Sequence, residues 1–527
     1  MSSSHKGVQD HISSWKDQGY VKFMKVNPHA KAKKNEVLYR ISIASILFLG
    51  VILRIYGLDN ESIWLDEGYS IQWAKLDLLK LIGVVSSLDV HPPLYLIMLH
   101  YWIALFGDSE FSIRFLSTIF GSFSIFIMYK VGTLLFNKNI GVLSSLIVAL
   151  SPFHIHYSQE ARSYALLVIL TLLSFYYFIR LMREGGHSVL IGYIVFSILL
   201  IYTHFYGLFI ILAQNIYYLS SVLLSKLTEE HKPYLIRWFV IQGILVLLYT
   251  PWISVLITQI MRIQRGTWIK VPTFGSIWGS FIEYSGSVLL LTVFLTLSIL
   301  ATINIGNLRS TSNSETSDNP ILTTSWRRIL SLRNRTYLLL VWLLTPITFP
   351  FIISQLSQPI YLTRGTIGAS LAFYLIVAKG MDAINSKLLK LLVISLVIFM
   401  FSFNLQEYYV KVNNEQWREV ASYVDMNAKP GDLILFNAGS TQTLVFDYYS
   451  KRNDLIKKPF TGKTRKITDE NIKELGPTVE GHNRVWLILS HSHDFKGLIK
   501  KTLAESYNLP YHKKYRGIDL SLFEHQN

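Results

Sequence analysis

Trp64-Leu65-Asp66-Glu67-Gly68-Tyr69, followed downstream by Asp89-Val90-His91-Pro92-Pro93-Leu94-Tyr95, is the part of this chain that decides its reading. The first stretch comes just after a long apolar run, roughly residues 37–55, so it sets two adjacent carboxylates beside a membrane surface. Acids are costly to hold in hydrocarbon, and a pair kept at that boundary points to solvated chemistry there.

The rest of the chain supports a membrane setting. Of 527 residues, 51% are hydrophobic and only 16% charged, and the mean hydropathy is +0.34. Such values belong to membrane proteins rather than to a string of soluble domains. The net charge of +16 is spread over short loops and a C-terminal segment, without a nucleic-acid-binding motif. Membrane lipids with anionic headgroups and a phosphate-bearing substrate suit that charge better than nucleic acid does. With no cysteine, the chain has no disulfide, Cys-ligated zinc or thiol nucleophile. Residues 1–36 form a basic, polar segment too long for a signal peptide's charged region, and the first apolar run meets no small-residue cleavage site, so it reads as a retained helix.

Runs long enough to span a bilayer lie near 37–55, 112–135, 140–152, 163–180, 188–203, 205–224, 235–258, 287–306, 336–354, 363–381 and 386–403, giving about eleven spans. Segments 70–82 and 94–106 read as helices lying along the interface. Basic loops, among them Lys226 to Arg237 and Arg309 to Arg335, fall on the side of the Lys-rich N-terminus, which the positive-inside rule puts in the cytoplasm. From residue 404 the character turns soluble. A helical period over Trp417 to Val424, a second helix over Thr441 to Tyr449, and apolar strands at 432–436, 485–489 and 518–523 predict a small α/β domain. The expected organisation is a cytoplasmic segment 1–36, a mainly α polytopic helix bundle 37–403, and an extracytoplasmic α/β domain 404–527.

An acidic dipeptide paired with a downstream His-Pro-Pro-Leu resembles the GT-C superfamily of glycosyltransferases. More narrowly it resembles family 39, the relatives of protein O-mannosyltransferases and of the aminoarabinose transferases that modify lipid A. The resemblance implies a GT-C helix bundle in the cell membrane and transfer of a sugar from a polyprenyl-phosphate donor to a lipid, protein or polysaccharide acceptor outside. It implies Asp66 as catalytic base, with Glu67 binding acceptor or positioning Asp66. Loop chemistry alone reads Asp66 equally well as a cap of the following helix. His91 stands where the mannosyltransferases have His-Pro-Pro, and Pro92 and Pro93 set the start of the next helix.

Gln159-Glu160-Ala161-Arg162 resembles a stretch of prokaryotic family members at an outer helix end. The fork of Arg162 suits a lipid-linked phosphate, although an interfacial Arg snorkelling to headgroups is the plainer alternative. Arg364 is a second phosphate candidate, and there the family's common Arg-Tyr is replaced by Arg364-Gly365. Tyr69, Glu160, Tyr164 and Tyr361 are candidate substrate contacts. No cofactor is demanded, and a divalent metal held by Glu160 and His204 stays open. Arg54 reads as a snorkelling anchor, and His154 and His156 as interfacial. The rival function is a transporter or flippase of lipid-linked sugars. Transporters place charge near the midplane in repeated halves, whereas here the charged residues sit at outward helix ends, with no repeat in the sequence.

The absence of native cysteine makes the orientation testable. With Asp10→Cys, Pro320→Cys and Ser450→Cys introduced singly, an impermeant maleimide is expected to label only position 450 in intact cells. Labelling of position 450 only after permeabilisation would overturn the orientation.

Overall fold

The structure, a computed structural model, describes residues 28–224, 232–264, 269–303, 332–411, 414–437, 439–460, 467–492, 494 and 496–526. Most of the basic N-terminal segment, part of the 226–237 loop and nearly all of the 309–335 loop lie outside these residues.

Each of the eleven expected apolar runs contains a helix. Among the described residues, seven helices are long and apolar enough to cross a membrane. The number rises to nine if two bent pairs each count as one span: Lys138–Leu150 with Pro152–Ser158, bent by 63°, and Phe274–Ser285 with Val288–Thr302, bent by 91°. The two remaining runs hold helices of fewer than 18 residues. His187–Thr203 has 17 residues and Ile367–Asp382 has 16; at ~1.5 Å per residue both fall short of a ~30 Å hydrocarbon core. Ile367–Asp382 is apolar for a different reason. It is buried along almost its whole length inside the bundle.

Close packing in the bundle rests on small residues. A Cβ added at Gly132 would lie 2.8 Å from Gly141 Cα, so the helices Glu110–Leu135 and Lys138–Leu150 can approach only because neither position carries a side chain. Arg54 is fully buried, which corrects its reading as a snorkelling anchor. Its Nη2 donates to Val148 O at 2.9 Å and its Nη1 to Ala149 O at 3.2 Å, carbonyls freed where Lys138–Leu150 ends at the bend. A cation there also meets the negative end of the helix dipole. His154 is buried too, with Nε2 2.8 Å from Ser370 Oγ, and is therefore not interfacial.

The C-terminal domain is a five-stranded sheet in the order β2-β1-β3-β5-β4. The strands are β1 Leu433–Phe436, β2 Ile456–Pro459, β3 Arg484–Ser490, β4 Tyr507–Tyr515 and β5 Ile518–His525. β1 pairs in parallel with β2 and β3, while β5 runs antiparallel to β3 and β4. β1, β3 and β5 match the apolar runs read from the sequence. β2 and β4 escaped that reading because they are polar and lie at the sheet's edges, where Pro459 and Pro510 are tolerated.

This domain sits on the loop that follows the first long helix, Pro28–Ile55. Leu65 belongs to its hydrophobic core alongside Val445 and Phe446. Ile63 N donates to Tyr449 Oη at 2.7 Å, and Ser62 Oγ to Glu419 Oε2 at 3.1 Å. A Cβ at Gly68 would come within 2.5 Å of Val445 Cγ2, so the helix Leu65–Ala74 touches the helix Gly439–Tyr449 through a glycine. Gly68→Val is expected to overpack this contact at a cost of ~1–3 kcal/mol and lower the melting temperature in detergent. Val445→Ala in the same chain should recover most of the loss. An unchanged melting temperature for Gly68→Val would show that the contact does not hold the domain.

Candidate active site

Asp66 and Glu67 are consecutive in the first turn of the helix Leu65–Ala74. Neighbours on a helix point ~100° apart, so the two acids enter different surroundings. Glu67 is fully buried. Arg114 Nε donates to its Oε1 at 2.9 Å and Arg114 Nη2 to its Oε2 at 2.7 Å, while Ala161 N donates to Oε1 at 2.9 Å. The remaining Arg114 hydrogens go to Leu58 O, Glu61 O and Ser62 O at 2.8–3.0 Å. Of the two roles expected for Glu67, this geometry leaves positioning. Arg114 was missed in the sequence. Its signal was a cation near the start of an apolar, spanning-length helix, where charge is expensive and needs a partner.

Asp66 keeps 31% of its side chain exposed, and its Oδ2 lies 3.5 Å from Arg364 Nη2. Arg364 is held between two rings, its guanidinium 5.6 Å from the Trp64 ring and 5.7 Å from that of Tyr164. Arg162 Nη1 donates to Asp66 O at 3.3 Å and Ser70 Oγ at 3.1 Å. Its Nε is buried and has no hydrogen-bond acceptor among the described residues.

Next to these sits a histidine pair. His91 Nδ1 is 3.0 Å from Asp89 Oδ1, and the rings of His91 and His204 are 4.6 Å apart. Burial raises the Asp89 pKa, but the opposing pull of His91 and then Arg162 prevails and holds it below the usual carboxylate range. For His204, burial and then the charges of His91, Arg162 and Arg364 push the pKa well down, so the ring is neutral. Tyr206 N donates to His204 Nδ1 at 3.1 Å, which leaves the proton on Nε2. That N–H is buried and without a partner among the described residues. Arg162 and His204 therefore each hold an unused donor in one basic cluster, an arrangement that fits an acceptor-only ligand such as a phosphate.

A solvent-open cleft of about 1390 Å³ adjoins the cluster, with Trp64, Glu160, His156 and Arg364 on its wall. Asp66 does not line it directly and meets it through Arg364. Glu160 Oε1 pairs with His156 Nε2 at 3.1 Å, while Oε2 is buried and unpartnered among the described residues. Tyr361 is buried with its hydroxyl 2.7 Å from Ser280 Oγ, and Tyr69 packs against Trp73. Glu160 and His204 do not form a metal cage in this arrangement: among the described residues no three His, Asp or Glu side chains converge as metal ligands.

The two acids are separable by experiment. Removing one partner of a buried, fully bonded ion pair costs ~3–5 kcal/mol, so Glu67→Gln should lower the melting temperature markedly. Asp66→Asn, on a partly exposed carboxylate, should leave it near wild type. Equal melting temperatures for the two variants would contradict the division of roles.

Residues 90–254 match the family profile described as dolichyl-phosphate-mannose-protein mannosyltransferase. A sequence search of curated proteins gives no match. Among solved structures, ArnT from Cupriavidus metallidurans in the apo state aligns with TM-score 0.58 at 10% identity, over 93% of this chain and 98% of that one. The same protein bound to undecaprenyl phosphate aligns with TM-score 0.56 at 9% identity, over 91% and 97% of the two chains. The oligosaccharyltransferase AglB from Archaeoglobus fulgidus, in complex with an inhibitory peptide and a dolichol-phosphate, gives TM-score 0.52 at 12% identity, over 94% of this chain and 74% of that one. At such identities the likeness is one of fold, and it extends over nearly the whole length. The chain therefore shares its fold with these membrane proteins, and residues 90–254 carry the mannosyltransferase family segment.

Proposed function

We propose that the chain transfers a sugar from a polyprenyl monophosphate to an acceptor hydroxyl at the outer face of the cell membrane. The observation that carries this reading is the setting of Asp66: a partly exposed carboxylate 3.5 Å from Arg364, with Arg162 bonded to its own backbone oxygen. A base and a phosphate clamp are thus within one side chain's reach of each other. The neighbours solved with undecaprenyl phosphate and with a dolichol-phosphate support a lipid donor in this fold.

The reaction is a single displacement with inversion. Asp66 accepts the proton of the acceptor hydroxyl as its oxygen bonds the anomeric carbon. The bond from that carbon to the phosphate oxygen breaks, and the electron pair leaves with the polyprenyl phosphate. Arg162, His91 and Arg364 stabilise the charge gathering on that phosphate, aided by the unused N–H of His204. Holding donor and acceptor side by side converts a bimolecular encounter into a local step and supplies much of the rate. Glu67 contributes by keeping Asp66 in place.

General-base catalysis contributes ~10²–10⁴-fold. Asp66→Asn should reduce turnover by that order with saturating donor and acceptor, while binding of undecaprenyl phosphate stays near wild type. Wild-type turnover in the variant would remove Asp66 from the mechanism.

A further inference from the structure

The cleft beside Arg364 holds two unsatisfied groups of opposite kind. Glu160 Oε2 is an acceptor, on a side chain in a residue only 5% exposed, with its other oxygen already committed to His156. Trp64 Nε1 is a donor, also buried and without a partner among the described residues. Both residues line the same cleft. An unpaired buried donor or acceptor is costly, so each signals a ligand group that completes it. A phosphate offers only acceptors and an ammonium only donors. A hydroxyl offers both. Aromatic side chains, Phe153 and Tyr157 besides Trp64, share the wall with the carboxylates Glu283 and Glu407 and with Lys411. Carboxylates beside apolar ring faces fit the hydroxyls and C–H faces of a sugar, and the three carboxylates outnumber the two cations Arg364 and Lys411.

We propose that this cleft binds the acceptor, and that the acceptor is an uncharged, polyhydroxylated glycan rather than a phosphorylated lipid headgroup or a Ser/Thr peptide. The inference rests on the transfer reading above for its meaning, but the binding site stands on its own geometry. Glu160 accepts from one sugar hydroxyl and Trp64 donates to a neighbouring one. Arg364, on the cleft wall and 3.5 Å from Asp66, links this cleft to the base. The two sides of Arg364 are thereby chemically distinct: unused donors alone at Arg162 and His204, a donor with an acceptor at Trp64 and Glu160.

The test uses the full-length protein in lipid nanodiscs. Methyl glycosides of the common neutral hexoses and pentoses, their 6- or 5-phosphates, and a Ser/Thr-rich peptide are titrated by calorimetry, with undecaprenyl phosphate titrated separately. At least one neutral glycoside is expected to bind, and more tightly than its phosphate or the peptide. Glu160→Gln should weaken that binding ten-fold or more. Trp64→Phe, which keeps a ring and removes the N–H, should weaken it several-fold, with undecaprenyl phosphate binding unchanged in both variants as evidence of an intact fold. Failure of every neutral glycoside to bind, tighter binding of a phosphorylated sugar or the peptide, or unaltered glycoside binding in Glu160→Gln would each overturn the proposal. Glycoside binding by a wild-type protein that does not bind undecaprenyl phosphate would overturn the donor reading and leave the cleft assignment standing.

Discussion

The buried pair of Arg114 and Glu67 is the constraint on which the site depends. Two charges removed from water lose several kcal/mol of hydration each, and their attraction offsets this only when every remaining hydrogen and lone pair is used. Here all five guanidinium hydrogens have acceptors, and Glu67 takes a further bond from Ala161 N. That saturation converts a loop into a fixed object. Three of the acceptors are backbone carbonyls of residues 58–62, so the loop cannot shift without stranding a buried cation. Ala161 precedes Arg162, and Glu67 follows Asp66. One ion pair therefore ties the positions of Asp66 and Arg162 to each other.

With those positions tied, discrimination between ligands follows from counting donors and acceptors. Water can satisfy any lone polar group at a surface, but a buried one selects by kind. The neutral state of His204 matters in this count. A charged imidazole would donate through both nitrogens and lose its bond from Tyr206 N; burial and the neighbouring cations prevent this. The histidine therefore presents a single aimed N–H to its surroundings.

How much of this could be read from the chain depended on whether the signal was local. Asp66, His91, Arg162 and Arg364 stood at the ends of apolar runs, where polar residues are conspicuous, and the structure brings them into one neighbourhood. The strands β1, β3 and β5 announced themselves because a buried strand is a short apolar run. Arg114 and Arg54 were harder. Each is one cation in or beside a long apolar run, and what it bonds to, carbonyls far away in sequence, leaves no mark in the residues around it. Tyr361 is similar: its hydroxyl lies 2.7 Å from Ser280 Oγ, a partner 81 residues away that its own neighbours do not reveal. At Ile367–Asp382 hydropathy alone does not say what surrounds the helix, because one buried by protein is as apolar as one bathed in lipid.

The docking of the C-terminal domain on the Asp66 loop also has a consequence for biosynthesis. Ile63 bonds Tyr449 across 386 residues of chain, and Leu65 has its packing partners in the same late segment. Translation at ~5–20 residues per second separates the two by roughly 20–80 s. During that interval the acidic loop is already made and its lid of packing partners is not. The Asp66 loop is therefore among the last parts of the molecule to mature, long after the first helices have been laid down.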